Sequence, residues 1–162
     1  MTRRDTVESV DFRLATPDDY SVLEPMVVDG FEPITWVKMI DEKYGPLNGV
    51  NWRERWKKRF RGVFDSQTVL IGEIHGRIVA CATGTLDAET KLGYIDILAV
   101  APGEQGKGYG RTMLRGMLDY FRAHGAEHAH LECLVWNDAG NCLYRSEGFE
   151  EVARSIRWFV KL

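Results

Sequence analysis

Residues 98–111 of this chain read Leu98-Ala99-Val100-Ala101-Pro102-Gly103-Glu104-Gln105-Gly106-Lys107-Gly108-Tyr109-Gly110-Arg111. An apolar run typical of the end of a strand leads into a glycine-rich turn, and a helical pattern follows. The first turn of a helix exposes unpaired backbone N–H groups and the positive end of the helix dipole, and glycines let the backbone come close to an anion. The stretch therefore predicts a phosphate-binding turn between a strand and a helix.

Two common phosphate-binding motifs do not fit this turn. The Walker pattern requires a lysine directly after its second glycine, but Tyr109 follows Gly108. The dinucleotide fingerprint GxGxxG requires a glycine where Arg111 stands. The pattern that does fit is Gln-x-x-Gly-x-Gly, formed by Gln105, Gly108 and Gly110.

The hydrophobic periodicity on either side of the turn predicts alternating strands and helices. Strands are expected over residues 10–14, 68–74, 77–86, 92–100 and 128–135, with a final strand or pair of strands over 149–160. Helices are expected from Pro17 towards Asp29 with Gly30 as a stop, and over 33–40, 51–61, 109–123 and 138–147. His75-Gly76 is expected to form a tight hairpin turn. This order predicts an α/β fold with a central mixed, twisted sheet flanked by helices.

Length and composition bound the class of protein. The chain has 162 residues, which is expected to be a single domain over 1–162 with a flexible extension over 1–9. Its net charge of −3 argues against binding nucleic acid through overall charge. The sequence contains no apolar run of about 18 residues, which a membrane-spanning helix would need. The N-terminal residues lack the apolar core of a secretory signal.

Cysteine usage adds an expectation about the cellular compartment. Cys81, Cys133 and Cys142 are odd in number and lack the CxxC spacing of a zinc ribbon. This pattern argues against a disulfide framework and against a structural zinc site, so a reducing, cytoplasmic compartment and no metal are expected.

The loop and the segments around it resemble one known family. An apolar-x-Val step, Leu98-Ala99-Val100, precedes the loop, and a strand, Asn137, Leu143-Tyr144 and Gly148-Phe149 follow about thirty residues later in that order. In this combination the sequence resembles the GNAT-type N-acetyltransferases, whose pyrophosphate loop reads Gln/Arg-x-x-Gly-x-Gly/Ala. The resemblance is firm over 68–160 and looser over 10–30, whereas 31–66 fall in the family's variable part.

The resemblance implies an acetyl-CoA site with assigned parts. The backbone of Leu98, Ala99 and Val100 would bind the pantetheine arm as an added strand would. The pyrophosphate would be held by the loop and the start of the next helix: Gln105, Gly106, Lys107, Gly108, Tyr109, Gly110 and Arg111. Asn137 would hydrogen-bond the cofactor arm, although a helix N-cap is an alternative role for it. Gly140 departs from the alanine that the family usually has there.

Two residues are candidates for proton transfer. Tyr144 matches the family's frequent general acid, and a phenol with pKa near 10 can protonate a thiolate leaving group. Asp96 is the first candidate for the base that takes a proton from the attacking amine, because the period of two puts Tyr94, Asp96, Leu98 and Val100 on one strand face. Packing is the alternative role for Tyr144, and a structural carboxylate is the alternative for Asp96. Glu32 and Glu132 are weaker candidates for the base.

Two other patterns in the sequence suggest a ligand but have a structural explanation. His128, His130 and Glu132 share one strand face, but a polar sheet edge explains them without a metal. Six basic residues surround Trp52 and Trp56, which is a pattern that can bind nucleic acid. At helical spacing, a tryptophan stripe in the core with a solvated basic face explains them better; the six are Arg53, Arg55, Lys57, Lys58, Arg59 and Arg61.

The sequence thus predicts an N-acetyltransferase that transfers an acetyl group from acetyl-CoA to a primary amine by direct attack in a ternary complex. The acceptor is expected to be a small-molecule or peptide amine, with no nucleic acid or membrane partner and with a homodimer as a possibility. An acyltransferase for a longer acyl-CoA, or a non-catalytic acyl-CoA-binding or interaction module on the same fold, is the alternative.

Overall fold

The structure is a computed structural model that describes residues 8–162, so most of the predicted extension over 1–9 lies outside the described residues. A five-stranded sheet has the order β1-β2-β3-β4-β5. Its strands are β1 Asp11–Leu14, β2 Thr68–Ile74, β3 Arg77–Asp87, β4 Leu92–Val100 and β5 His128–Leu131. The helices are α1 Tyr20–Phe31, α2 Trp36–Tyr44, α3 Trp52–Ser66, α4 Tyr109–Ala123 and α5 Asp138–Ser146. The predicted class, a mixed sheet flanked by helices, is confirmed.

The sheet is antiparallel except at one edge. β1, β2, β3 and β4 pair antiparallel in sequence order, and β4 pairs parallel with β5 across the connection that contains α4. Between β2 and β3, His75 and Gly76 both have positive φ angles of 50° and 74°. Positive φ at both central residues is what a type I′ hairpin turn requires, so the predicted turn is confirmed.

The described residues divide into two compact units, which are described separately. Residues 8–132 contain the sheet and helices α1 to α4, and Cys133–Leu162 contains α5. The first unit has a core on each face of its sheet. On one face, the apolar stripe of α4 is fully buried, as its spacing predicts: Met113, Leu114, Met117 and Phe121.

The opposite face of the sheet packs against α1 and α3. The predicted aromatic stripe of α3 is buried there, formed by Trp52, Trp56, Phe60 and Val63. It lies in one cluster with Leu23 and Val27 of α1 and with Ile71, Cys81, Ile97 and Ala99 of the sheet. The tryptophans therefore belong to the core, as the helical spacing indicates, and the charged residues of α3 lie on its outer side.

Several element boundaries differ from the sequence prediction. α1 continues past Gly30 to Phe31, and α3 continues to Ser66. β5 ends at Leu131 rather than at residue 135, and residues 149–162 contain no helix or strand. Alternating side chains show that a segment can form a strand, but a strand exists only where a neighbour accepts its backbone hydrogen bonds. That neighbour is a tertiary feature, which the alternation in 149–160 does not report.

Among residues 8–162, every helix is too short or too polar to cross a lipid bilayer.

One ion network ties the start of the fold to the sheet. Arg13 on β1 donates from Nη1 and Nη2 to the two carboxylate oxygens of Asp19, both at 2.8 Å, and from Nη2 to Glu73 on β2 at 2.7 Å. Asp19 also accepts from the backbone N–H of Thr16 at 2.7 Å, which caps the turn before α1. The side chain of Asp19 is only 12% exposed. The hydrogen bonds from Arg13, followed by those from Thr16, hold the pKa of Asp19 well below its usual range.

This network predicts a pH-dependent contribution to stability. Because the folded-state pKa of Asp19 is lowered, its stabilisation is present above the unfolded pKa of about 3.9 and is lost as the pH falls towards the folded value. Asp19→Asn should therefore lower the free energy of unfolding by about 1–3 kcal/mol at pH 7. The difference between the wild type and the variant should shrink below about pH 4, because the unfolded wild type then takes up a proton that the folded state does not bind, whereas the variant has no carboxylate to titrate.

Urea unfolding of the two proteins at pH 7 and pH 3 measures that difference. Asp119→Asn is the control, because the carboxylate of Asp119 pairs with Arg122 at the surface with 73% of its side chain exposed. An equal loss of stability in Asp19→Asn at both pH values would contradict the assignment.

Candidate functional site

A bulge interrupts β4 where the predicted site begins. Thr83 on β3 pairs with Ile97, but the next residue, Gly84, pairs with Ile95. Asp96 is therefore an extra residue in β4, opposite no partner of its own. A bulge of this kind bends the strand and increases its twist.

The bulge also changes which residues share a face, so the predicted face of Tyr94, Asp96, Leu98 and Val100 is wrong. Before the bulge, Ile95 lies on the α4 face, because a Cβ on its partner Gly84 would meet Met117 and Phe121. After it, Ile97 lies in the core cluster with α1 and α3. Since alternation restarts at the extra residue, Asp96 faces α3 together with Ile97, whereas Leu98 and Val100 face α4.

The edge of β4 beyond the bulge is open within the first unit. The ladder between β4 and β5 runs from Leu92 paired with His128 to Ile95 paired with Leu131, and it ends there. β4 continues to Val100, and in residues 8–132 its last residues pair only with β3. The backbone of Leu98, Ala99 and Val100 thus presents N–H and C=O groups along an unpaired strand edge. Such an edge can bind an extended ligand that carries amides.

The open edge leads directly into the glycine-rich turn. Gly103, Gly106 and Gly108 have positive φ angles of 82°, 78° and 89°. Gly108 is the N-cap of α4, whose first residue, Tyr109, is buried and fixes the start of the helix in the core. No heavy atom lies within 4 Å of a Cβ built on Gly103 or Gly106, so the turn has space for a ligand on that side. The expected position of the turn, between a strand and a helix, is confirmed.

The polar residues of the turn differ in exposure and partners. Gln105 and Lys107 are exposed, whereas Gly110 and Arg111 are partly buried in the first turn of α4. Glu104, which sequence reasoning overlooked, is buried and accepts hydrogen bonds from Arg77 at 2.6 Å and from Lys107 at 2.9 Å. These two cations, Lys107 first, lower the pKa of Glu104. Glu104 therefore connects the turn to β3 and holds Lys107 in place. In the sequence, the three-residue spacing between Glu104 and Lys107 could have indicated this ion pair.

In the second unit, Asn137 serves as the N-cap of α5. Its Oδ1 accepts from the N–H of Gly140 at 3.2 Å, which is the alternative role that the sequence left open. A Cβ on Gly140 would lie 2.7 Å from Nδ2 of Asn137 and 3.1 Å from Sγ of Cys133. Glycine in place of the family's alanine therefore makes room for the capping side chain. Asn141 adds hydrogen bonds to the carbonyls of Leu134 and Asn137.

Tyr144 lies on α5 with most of its side chain buried. Its ring packs edge-on against Phe149, with the ring centroids 5.9 Å apart. Burial, with a smaller effect from the nearby Cys133, raises the pKa of Tyr144 to about 12. The hydroxyl is therefore protonated throughout the neutral range and can act as a hydrogen-bond donor. It is also a weaker acid than a free tyrosine.

Two of the carboxylates considered as bases, Asp96 and Glu32, have cationic partners. Asp96 accepts from Nη2 of Arg59 at 2.6 Å and from Nε2 of Gln67 at 2.8 Å. Glu32, at the end of α1, accepts from Nη1 of Arg53 at 3.0 Å and from Nζ of Lys38 at 3.5 Å. Each carboxylate oxygen of Asp96 thus already accepts a hydrogen bond from a neighbouring side chain.

The basic run of α3 is largely occupied by ion pairs. Five of its six cations contact carboxylates, in the pairs Arg53–Asp29, Arg55–Asp41, Lys57–Glu54, Arg59–Asp96 and Arg61–Asp65. Three of the arginines also lie over aromatic rings, namely those of Trp52, Trp56 and Tyr20. This arrangement supports the core-and-solvated-face interpretation over a nucleic-acid surface.

His128 and His130 are exposed on β5, and the ring of His130 lies 4.8 Å from that of Tyr94 on β4. Within residues 8–162, no group of three histidine, cysteine, aspartate or glutamate side chains is arranged to hold a metal ion.

Comparison with known proteins places these features in a family. Residues 36–149 match the model of the acetyltransferase (GNAT) family. Streptothricin acetyltransferase from Streptomyces lavendulae is 34% identical over 85 residues, which cover 52% of this chain and 45% of that protein. N-alpha-acetyltransferase RimI from Mycobacterium tuberculosis is 38% identical over 65 residues, which cover 40% of this chain and 39% of that protein. The matched stretch thus spans less than half the length of both relatives.

Solved structures share the fold over nearly the whole chain. The ribosomal-protein-S18-alanine N-acetyltransferase from Escherichia coli superposes with a TM-score of 0.68 at 18% identity, over 90% of this chain and 80% of that one. An N-acetyltransferase from Thermoplasma acidophilum, solved in complex with coenzyme A, gives a TM-score of 0.68 at 16% identity, over 88% of this chain and 90% of that one. With the open strand edge, the glycine turn and the family match in agreement, the chain belongs to the GNAT family of acetyltransferases.

Proposed function

We propose that this protein transfers the acetyl group of acetyl-CoA to a primary amine by direct attack of the amine on the thioester. The observation that supports this most strongly is the open edge of β4 running into the turn at the N-terminus of α4. A pantetheine arm carries two amides in an extended chain and ends in a pyrophosphate. An unpaired strand edge followed by a helix N-terminus matches both parts in that order.

Residues of the first unit supply the proposed binding groups. The backbone of Leu98, Ala99 and Val100 would pair with the amides of the arm. The backbone N–H groups from Gln105 to Gly110 would surround the pyrophosphate, and Lys107 and Arg111 would add positive charge. The neighbour solved with coenzyme A has the same fold, which supports this choice of cosubstrate.

The chemistry needs a donor for the leaving sulfur, and Tyr144 is the proposed donor. The assignment rests on the family motif and on the protonated state of the buried phenol. Because its pKa is about 12 and that of a thiol is about 8.5, complete proton transfer to the thiolate is unfavourable. We therefore assign Tyr144 a hydrogen bond to the sulfur as negative charge develops there. Asn137, which caps α5, would also contact the cofactor arm.

The attacking amine must lose a proton, because a lysine-like amine is protonated at pH 7. The sequence predicts Asp96 as the base that takes this proton, although both of its oxygens already accept hydrogen bonds. The relatives' names include an acetyltransferase for streptothricin and an N-alpha-acetyltransferase, so the family comparison is compatible with a small-molecule or a peptide amine as acceptor. Dimerisation and a cytoplasmic location stay predictions.

The turn predicts a specific loss of cosubstrate affinity when Gly108 is changed. With φ at 89°, Gly108→Ala strains the N-cap of α4 and shifts the N–H groups that would hold the pyrophosphate. The dissociation constant of acetyl-CoA, measured by calorimetric titration, should rise about tenfold or more. Gly125→Ala is the matched control, because Gly125 has φ at 92° just after the other end of α4 and no atom lies near its Cβ position.

The two variants should lose similar stability, but only Gly108→Ala should lose affinity. ATP and NAD should not bind to the wild type with comparable affinity, since neither carries the pantetheine arm. Equal acetyl-CoA affinity in Gly108→Ala and Gly125→Ala would contradict the role of the turn. Absence of acetyl-CoA binding by the wild type would contradict the proposed function.

Tyr144 predicts a loss of turnover without a loss of binding. Tyr144→Phe removes only the hydroxyl, so kcat should fall about 100-fold while the dissociation constant of acetyl-CoA changes less than about twofold. Tyr20→Phe is the matched control, because burial also raises the pKa of Tyr20 to about 12 and its hydroxyl donates to Glu24 at 2.7 Å in α1. That control should keep the wild-type kcat.

The pH dependence gives a second check on Tyr144. With its pKa raised to about 12, the hydroxyl stays protonated, so wild-type kcat should not decline between pH 8 and about pH 10 through ionisation of this residue. The value of kcat is measured with a panel of amines as acceptors, by monitoring the thiol that acetyl transfer releases. An equal loss of kcat and of acetyl-CoA affinity in Tyr144→Phe would show a packing role instead.

A further inference from the structure

The network around Asp96 lies at the point where the edge of β4 becomes free. The last residue of β4 that pairs with β5 is Ile95, and the next residue is the extra residue of the bulge. The side chain of Asp96 is only 8% exposed, although it carries a carboxylate. A carboxylate so deeply buried persists only where donors replace the lost water.

The two donors come from the helix that packs on this face and from the residue that follows it. Arg59 of α3 donates to Oδ1 at 2.6 Å, and Gln67, just after α3, donates to Oδ2 at 2.8 Å. The guanidinium of Arg59 lies 4.8 Å from the ring centre of buried Trp56, which limits its movement. Oε1 of Gln67 is buried and has no partner, so the amide group is oriented by its bond to Asp96 alone. The carboxylate is thus held by hydrogen bonds from two different residues, Arg59 and Gln67.

The consequence for the strand follows from the geometry of a bulge. An extra residue has no backbone partner of its own, so its place in the strand depends on the packing of its neighbours and on the contacts of its own side chain. A return to a regular register would move every later residue of β4 to the other face, and the anchoring of Asp96 to α3, together with the burial of Ile97, opposes that return. We propose that Asp96 is a positioning residue, which fixes the bulge and so keeps the edge at Leu98, Ala99 and Val100 separate from β5 and open to the acyl-CoA arm.

This inference rests on the proposed function and gives Asp96 a role other than that of the base. A base acts on the amine, so its loss lowers kcat and removes the acidic limb of the pH–rate profile. A positioning residue acts on the strand, so its loss weakens acetyl-CoA binding and leaves the pH of that limb unchanged.

Three variants test the network against a matched control. Asp96→Asn removes the charge, Arg59→Met removes one donor, and Gln67→Met removes the other while keeping the chain length. Asp41→Asn is the control, because Asp41 also pairs with an arginine of α3, Arg55, at 2.7 Å. The side chains of Asp41 and Arg55 are 12% and 20% exposed, and this ion pair does not involve β4. Gln67→Met is the mildest of the set and serves if Asp96→Asn does not fold.

Calorimetric titration with acetyl-CoA gives the first readout. Asp96→Asn should raise the dissociation constant about tenfold, and Arg59→Met and Gln67→Met about threefold or more, whereas Asp41→Asn should change it less than twofold. The effects of Asp96→Asn and Arg59→Met should not add in the double variant, because both break one interaction. Unchanged affinity in all three variants would overturn the proposal. A loss of kcat at saturating acetyl-CoA together with loss of the acidic limb would assign the base role instead.

Amide hydrogen exchange without any ligand gives a second readout that does not depend on the proposed function. Asp96→Asn should speed exchange at the amides of Ile97, Leu98 and Ala99 relative to the wild type, and Asp41→Asn should not. If the wild type does not bind acetyl-CoA, the proposed function fails, but faster exchange would still support the anchoring of the bulge. Unchanged exchange in Asp96→Asn would show that the carboxylate does not hold the strand.

Discussion

The proposed site depends on one constraint, which is that the pairing between β4 and β5 ends at Ile95. Two parallel strands that stay paired offer no backbone groups to a ligand. Here the pairing ends at Ile95, the extra residue follows directly, and within residues 8–132 the last third of β4 has an open edge on one side. The same strand then enters the turn that caps α4. Edge and helix N-terminus therefore follow each other along the chain, as the parts of an acyl-CoA do.

The packing of the first unit supports this arrangement from both faces. α4 is held against the sheet by a stripe of buried side chains, so its N-terminus has a fixed position at the end of β4. On the other face, α3 and the residue that follows it provide the donors that hold Asp96, and one of them, Arg59, lies over the ring of buried Trp56. Glu104 connects the turn to β3 through Arg77. These contacts lie beside the strand end and the turn that the proposed function uses.

Local pattern predicted the features that depend on local sequence. The bounds of α4, the hairpin turn at His75-Gly76 and the buried stripe of α3 were all readable from spacing and from glycine. The bulge at Asp96 was not readable, because its donors lie 37 and 29 residues away and no local signal reports them. For that reason, the prediction that Tyr94, Asp96, Leu98 and Val100 share one strand face was wrong. The expected strand over 149–160 also depended on a neighbour that alternation does not supply.

Amide hydrogen exchange of the wild type, measured residue by residue with and without acetyl-CoA, tests the central claim most directly. The account predicts that saturating acetyl-CoA slows exchange at Leu98 to Val100 and at Gln105 to Gly110, and that exchange in β1 and β2 changes little. Slower exchange elsewhere, with no change along the end of β4 and the turn, would contradict the claim that this edge binds the acyl-CoA.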